Sequence, residues 1–195
     1  MDYEKLKTNL ENNGFACTRF ATAKQAAEYL NNKIDGKSVS FGGSVTLQEM
    51  GLAEQLQEHN KMIWHWSNGT IEEAANTQVY MCSVNGIAET GEIINIDGTG
   101  NRVASTIFGH DELYLVVGSQ KICPDYDSAL YRARNVAAPK NAQRLKRNTP
   151  CAVKADKCYN CNSPERICKA LTVLWKKPTG IKYAEVLIID EEIGY

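Results

Sequence analysis

The sequence predicts an α/β fold, a mainly parallel sheet with helices on both faces. Three observations lead there. Short apolar runs of strand length alternate with segments of helical periodicity, which is the pattern of βα units. Several runs, such as Leu113-Tyr114-Leu115-Val116-Val117 and Val186-Leu187-Ile188-Ile189, are apolar at every position, as strands covered on both faces must be. Many runs lead into polar turns rich in glycine, the chemistry that lets a chain leave a strand sharply.

Residues 3–13 read as a helix, because Tyr3, Leu6 and Leu10 share one face and Gly14 stops it. A β-prone run follows from Phe15 to Ala21. Thr22 and Gln25 make a capping-box pattern for a helix that reaches about Lys33. Asp35-Gly36 is a turn, and Ser38-Val39-Ser40-Phe41 a strand that runs into Gly42-Gly43-Ser44. Thr46 to about Gln57 reads as the next helix, with Leu47, Met50 and Leu56 as its apolar positions. Met62 to Trp66 is strand-like, Ile71 to Ala75 helical, and Val79 to Val84 a buried strand. Glu92 to Asp97 and Glu112 to Val117 are further strands. Pro124 precedes a helix from about Asp125 to Ala137, and Pro139 begins another. A cysteine-rich loop spans residues 150–168, and a strand from about Lys182 to Ile189 closes the chain.

With 195 residues the chain has the size of one domain, and the whole of 1–195 reads as a single unit without repeats or low-complexity linkers. Hydrophobic residues make up 43% and charged residues 23%, so a core can form without disulfides. Met1 to Lys7 is charged and lacks the apolar stretch of a signal peptide, and no run approaches a membrane span. The expectation is a cytoplasmic protein with no membrane partner, so Asn68-Gly69-Thr70 is a turn and not a glycosylation site.

The net charge of −1 conceals three blocks. Residues 1–129 carry 9 basic and 17 acidic side chains, residues 130–177 carry 12 and 2, and residues 178–195 carry 1 and 4. The central block, net +10, lacks the aromatic interleaving of a base-stacking surface, so no nucleic acid is expected. Its charge instead suits nearby thiolates, a bound anion or an acidic partner.

The turn Gly42-Gly43-Ser44-Val45-Thr46 lies between strand and helix, where bare backbone and free N–H groups can receive an anion. It matches neither GxGxxG nor GxxxxGK[ST], so no nucleotide is implied, and a plain capped turn is the competing reading. Other polar turns follow strands at Asn85-Gly86, at Asp97-Gly98-Thr99-Gly100-Asn101-Arg102 and at Gly118-Ser119-Gln120-Lys121. Ligands of open α/β sheets bind outside the carboxyl ends of the strands. These loops are therefore expected to meet there around an anionic small molecule, with Arg102 and Lys121 supplying positive charge.

Cys151, Cys158, Cys161 and Cys168 form C-x6-C-x2-C-x6-C. An 18-residue window drawn at the chain's cysteine frequency would hold about 0.65 cysteines, and this window holds four. In a reducing compartment the pattern points first to metal ligation by four thiolates, as a [4Fe–4S] cluster or as zinc. A redox switch and simple packing thiols are the alternatives. Cys17, Cys82 and Cys123 lie in apolar surroundings and read as core residues. His59, His65 and His110 follow no ligand spacing, Asp125 and Asp127 suit a helix start, and no GxSxG is present. No catalytic residue can be named from these signals.

Several stretches together resemble the LUD domain, a lactate-utilization family (the protein C type). They are residues 40–47 (SFGGSVTL), 83–88 (SVNGIA), 95–104 (NIDGTGNRVA), 116–122 (VVGSQKI), 129–134 (ALYRAR), 137–142 (AAPKNA) and 163–168 (SPERIC). The resemblance extends to the last strand. It implies a fold like ribose-5-phosphate isomerase, glucosamine-6-phosphate deaminase and the CoA transferases, whose glycine loops hold substrate at the sheet's carboxyl edge. Carried over by position, it favours Gly42, Gly43, Ser44, Asn85, Gly98, Asn101, Arg102 and Lys121 as pocket residues, and Thr46 lies beside them. It also implies a part in oxidising lactate to pyruvate, next to other lactate-utilization subunits that carry iron–sulfur centres. With the four-cysteine loop this becomes an electron-transfer or accessory role with a [4Fe–4S] cluster. The alternative is an enzyme of the isomerase, CoA-transferase or cyclo-ligase type, with a phosphorylated or carboxylated substrate and a structural zinc. A homo-oligomer is compatible with either.

Overall fold

The protein is described by a computed structural model covering residues 1–195. The chain begins with helix α1 (Tyr3–Asn12), strand β1 (Ala16–Phe20), helix α2 (Ala23–Lys33) and strand β2 (Ser38–Phe41). Short helices α3 (Val45–Glu49) and α4 (Leu52–Leu56) lead to β3 (Lys61–Trp64), α5 (Ile71–Ala74) and β4 (Val79–Ser83). Then come β5 (Gly86–Ala88), β6 (Ile93–Asp97), α6 (Asn101–Ser105), β7 (Glu112–Gly118) and β8 (Ile122–Cys123). Helix α7 (Tyr126–Arg132) continues through a π turn at Ala133–Ala137 into α8 (Ala138–Arg144). Helix α9 (Pro150–Lys154) and strands β9 (Ala170–Leu174) and β10 (Tyr183–Ile189) complete it.

Six strands form one sheet in the order β1-β10-β7-β4-β2-β3, every neighbouring pair parallel. This is the parallel sheet that the apolar runs predict: all five residues of β4 are buried, as are six of the seven in β7. Helices α2 to α4 cover one face, where Leu30, Ile34, Leu47, Leu52 and Leu56 pack on Val39, Phe41, Met81, Val116 and Leu187. The other face is covered by α1 together with a second sheet, ordered β8-β5-β6-β9 and mostly antiparallel. There Leu6 and Leu10 join Ile87, Ile93 and Leu174 against Tyr80, Leu115, Val117 and Val186. Helix α7 then packs Ala129 and Ala133 on the far side of the second sheet.

The second sheet is the main addition to the sequence reading. Strand β9 had no counterpart there, and the Asn85-Gly86 turn is in fact the entry to β5. The helix expected over 46–57 is broken in two, because Gly51 stands at φ +59° and starts α4 in the left-handed region. Pro139 does not begin a separate helix. The π turn just before it absorbs the missing backbone donor, so the helix runs on from α7 to α8. The cysteine segment opens with α9 before becoming irregular. No helix is long and apolar enough to cross a membrane.

One polar group is buried inside the main sheet near its amino edge. The Glu185 carboxylate is 1% exposed and receives hydrogen bonds from Lys33 Nζ at 2.7 Å, Thr18 Oγ1 at 2.6 Å, and the Tyr29 and Tyr183 hydroxyls. Burial pushes its pKa up, but the bonds from Lys33, Thr18 and Tyr183 outweigh burial and hold it below the ordinary carboxylate value. The stability this contributes is present above the carboxylate's unfolded pKa and is lost as pH falls through its folded value. Lys33→Met leaves that carboxylate buried without its cation and is expected to cost about 3 kcal/mol in urea unfolding at pH 7. A cost under about 0.5 kcal/mol would show the pair to be idle.

Candidate functional site

A cleft of about 410 Å³ opens at the carboxyl edge of the main sheet. Its floor comes from the segments that leave β2, β3, β4 and β7: Gly43 to Thr46, His65 and Trp66, Ser83 to Asn85, and Lys121. One wall is the Asp97 to Arg102 turn, and the other is helix α8 with the Pro164 to Lys169 part of the cysteine segment. The polar loops thus converge where the strand order says they should. Six Lys or Arg side chains line the cleft, against Asp97 and Glu165 as its acidic ones.

Arg102 holds the place where the two sheets meet. Its guanidinium donates to Ser83 O at 3.2 Å and Asn95 Oδ1 at 2.6 Å, and also to Asn85 Oδ1 and Ile96 O. Asn85 Oδ1 accepts in addition from Ile96 N at 2.7 Å, which locks the loop after β4 onto β6. Asp97 is used by the backbone: its two oxygens accept from the N–H groups of Gly98, Thr99, Arg102 and Val103, shaping the turn and starting α6. A Cβ at Gly42 would collide with the Tyr80 hydroxyl and stand 3.1 Å from Arg102 Cγ. Gly42 therefore serves by leaving room for Arg102, and it does not itself line the cleft.

Lys121, 2% exposed, follows β7 and donates to Thr46 Oγ1 and Ser83 Oγ, each at 2.8 Å. Burial pushes its pKa down, with Arg132 and Arg102 adding repulsion, to about 7. Arg132, buried on the alanine face of α7, donates to Gln120 O and Asn85 O, and burial lowers its pKa. All nine ion pairs of the chain lie elsewhere, so Lys121, Arg102 and Arg132 are three clustered cations bonded only to neutral acceptors.

The structure brings Gly43, Ser44, Thr46, Asn85, Gly98, Asn101, Arg102 and Lys121 to this cleft. The glycine turn meets the cleft at the start of helix α3. Helix α3 has only five residues, and Ser44 caps it by accepting from Leu47 N. Sequence reasoning missed Ser83, Trp66 and Arg132, together with Arg144, Arg147, Arg166 and Lys169. Trp66 stacks on Trp64 with ring centres 5.3 Å apart, and the Arg144 guanidinium lies 5.1 Å from the Trp66 ring. Arg132 carried one usable signal, a cation three residues after Ala129 on the face that buries Ala129 and Ala133.

Cys17, Cys82 and Cys123 are buried, as expected of core residues, while the four loop cysteines are partly exposed free thiols. Arg166 bonds to the carbonyls of Cys161 and Cys168, and Asn160 N donates to Cys158 Sγ at 3.4 Å. As donors, four free thiols suit zinc or iron. As placed they are not gathered, since no three Cys, His, Asp or Glu side chains stand where they could share one ion. The loop adjoins the cleft directly: a Cβ on Gly98 would meet Ile167 O at 2.9 Å, and Lys169 N donates to Asp97 O.

The depressed Lys121 value has a sign that can be measured. A buried lysine that titrates near pH 7 penalises the fold most below that pH, and the penalty fades as pH rises toward its unfolded value. Lys121→Met is expected to melt at a higher temperature than the parent at pH 6, with the advantage gone above about pH 10. A variant that melts lower at pH 6 than at pH 10, relative to the parent, would contradict the buried-charge reading.

The chain matches the LUD domain over residues 3–189. A crystal structure of a DUF162 family protein from Deinococcus radiodurans superposes with a TM-score of 0.60 at 12% identity, covering 96% of this chain and 95% of that one. No curated protein matches the chain. With every helix and strand inside the matched span, the chain belongs to the LUD domain family.

Proposed function

We propose that this LUD chain takes part in oxidising a lactate-type 2-hydroxy acid to its 2-oxo acid, and that it holds the acid's carboxylate in the cleft. The observation that carries this reading is a cluster of three cations without a carboxylate partner at the carboxyl edge of the sheet, Lys121 and Arg132 buried and Arg102 half-buried. Such a cluster is costly unless a small anion completes it. Arg132 does not line the cleft and Arg102 spends its donors on four acceptors, whereas Lys121 keeps one N–H beyond Thr46 and Ser83 and stands with Asn101, Arg144 and Arg166 to contact the ligand.

Cys151, Cys158, Cys161 and Cys168 would hold a [4Fe–4S] cluster, with zinc as the alternative metal. When bound, such a cluster supplies one-electron transfer, and the loop's place in the cleft wall supports that use. The side chains of this chain bind and orient the acid. A role beside other lactate-utilization subunits belongs to the same proposal. Iron and acid-labile sulfide in anaerobically purified protein, lost together in Cys158→Ser and Cys161→Ser, are the expected result. Zinc in place of iron, or no metal at all, would remove the cluster from the proposal.

The size of the cleft favours a second reading. About 410 Å³ is in the range that takes drug-sized ligands and exceeds what lactate needs, so a phosphorylated or CoA-linked substrate fits as well. Thermal shift separates the two. Lactate or pyruvate at about 100-fold above its dissociation constant stabilises a binding protein by about 2.7 kcal/mol. Stabilisation by lactate and pyruvate supports the first reading, and stabilisation by sugar phosphates or CoA esters alone supports the second. No response to any of these anions would overturn both.

A further inference from the structure

We propose that Lys121 is an imine-forming nucleophile, and that the cleft captures a small carbonyl compound bearing an anionic group, such as a 2-oxo acid, covalently at its Nζ. This deepens the reading of the cleft as a substrate site and rests on it.

Four observations point the same way. Lys121 reaches the floor of the cleft while remaining 2% exposed, so its amine is shielded from bulk water yet lies at the ligand. Its Nζ has two hydroxyl partners, Thr46 and Ser83, and no carboxylate to hold it as an ammonium ion. The charged and titratable groups around it come from every neighbouring element: Arg102 on α6, Arg132 on α7, Glu49 on α3 and Cys82 on β4. Burial and the two arginines dominate, and they favour the neutral amine, the form that attacks carbonyl carbon. The Glu49 carboxylate is occupied by Gly194 N at 2.8 Å.

The fourth observation is the strap formed by residues 193–195. Ile193 is buried, its carbonyl accepts from Thr46 Oγ1 and Gln120 Nε2, and Tyr195 lines the cleft. A Cβ on Gly194 would collide with Thr46 Oγ1 and stand 3.0 Å from Lys121 Nζ. Gly194, at φ +69°, therefore lets the strap close down on the amine and keep water from it. A dry amine is what an imine needs to resist hydrolysis.

The step balances without any other reactant. The Nζ lone pair forms a bond to the carbonyl carbon, and one amine proton passes to the carbonyl oxygen to give the carbinolamine. The C–O bond then breaks, and that oxygen leaves as water with the second amine proton. The hydroxyls of Thr46 and Ser83, both in hydrogen-bond contact with Nζ, are placed to relay these protons. The substrate's anionic group meets the cationic wall of Arg144, Arg147 and Arg166.

Reductive trapping tests this on the full-length protein. Pyruvate, glyoxylate and a phosphorylated aldehyde are each incubated with the protein and sodium borohydride, followed by intact mass and peptide mapping. The expected result is a single adduct, equal to the carbonyl compound less one oxygen (loss of water on condensation, gain of two hydrogens on reduction), on the peptide that contains Lys121. It is absent from Lys121→Arg and Lys121→Met, and circular dichroism reports that each variant is folded. No adduct on the parent protein with any of the three compounds, or adducts spread over exposed lysines, would overturn the proposal. If lactate still stabilises the protein in the thermal shift while no carbonyl compound is trapped, imine formation falls and the anion-binding reading stands. If neither occurs, both fall.

Discussion

The Arg102 guanidinium is the constraint on which the site depends. It bonds at once to the end of β4 in the parallel sheet and to Asn95 and Ile96 of β6 in the second sheet. Two sheets packed face to face can slide, and apolar contacts such as Ile87 and Ile93 on Tyr80 and Leu115 resist sliding only weakly because they lack direction. A planar cation with fixed donor directions sets the register that packing leaves loose. Asn85 shares that cation and receives the backbone of Ile96, so the loop after β4 is fixed in the same act.

Neutral acceptors can satisfy the hydrogen bonds of a buried cation, but they do not cancel its charge. Arg102, Arg132 and Lys121 are each bonded in this way, and the field they share is left at the mouth of the sheet. Elsewhere the chain does pair opposite charges, as where Lys33, amid Tyr29, Tyr114 and Tyr183, meets the buried Glu185 carboxylate. The contrast between Lys33, partly exposed and paired with a buried carboxylate, and the buried Lys121 separates a structural group from a group held ready for a ligand. Lys33 is held above its ordinary pKa, and Lys121 is held below it.

Much of this was legible in the sequence, and the reasons differ by element. The parallel sheet could be read because strands covered on both faces must be apolar throughout, as Leu113 to Val117 are. The second sheet could not: Gly86–Ala88 and Ile122–Cys123 are too short to show a period, and β9 is mostly half-exposed without a clear alternation. Arg102 and Lys121 stood out as cations in turns after strands, which is a local signal. Ser83 and Trp66 join them through tertiary packing alone, and Arg132 showed only its place on the alanine face of its helix. The cysteine spacing was plain in the sequence, whereas its place in the cleft wall depends on Ile167 lying against Gly98.

The central claim is that the carboxyl edge of the sheet gathers unpaired cations, Lys121 and Arg132 buried and Arg102 half-buried, that await an anion, and Lys121 reports on it directly. Following its Cε resonance by NMR through a pH titration, with and without saturating pyruvate or lactate, measures the charge balance at the site. The account predicts a midpoint near 7 in the free protein, and a rise of that midpoint when lactate supplies the missing negative charge. A lysine that titrates in the ordinary range near 10, unmoved by either acid, would contradict it.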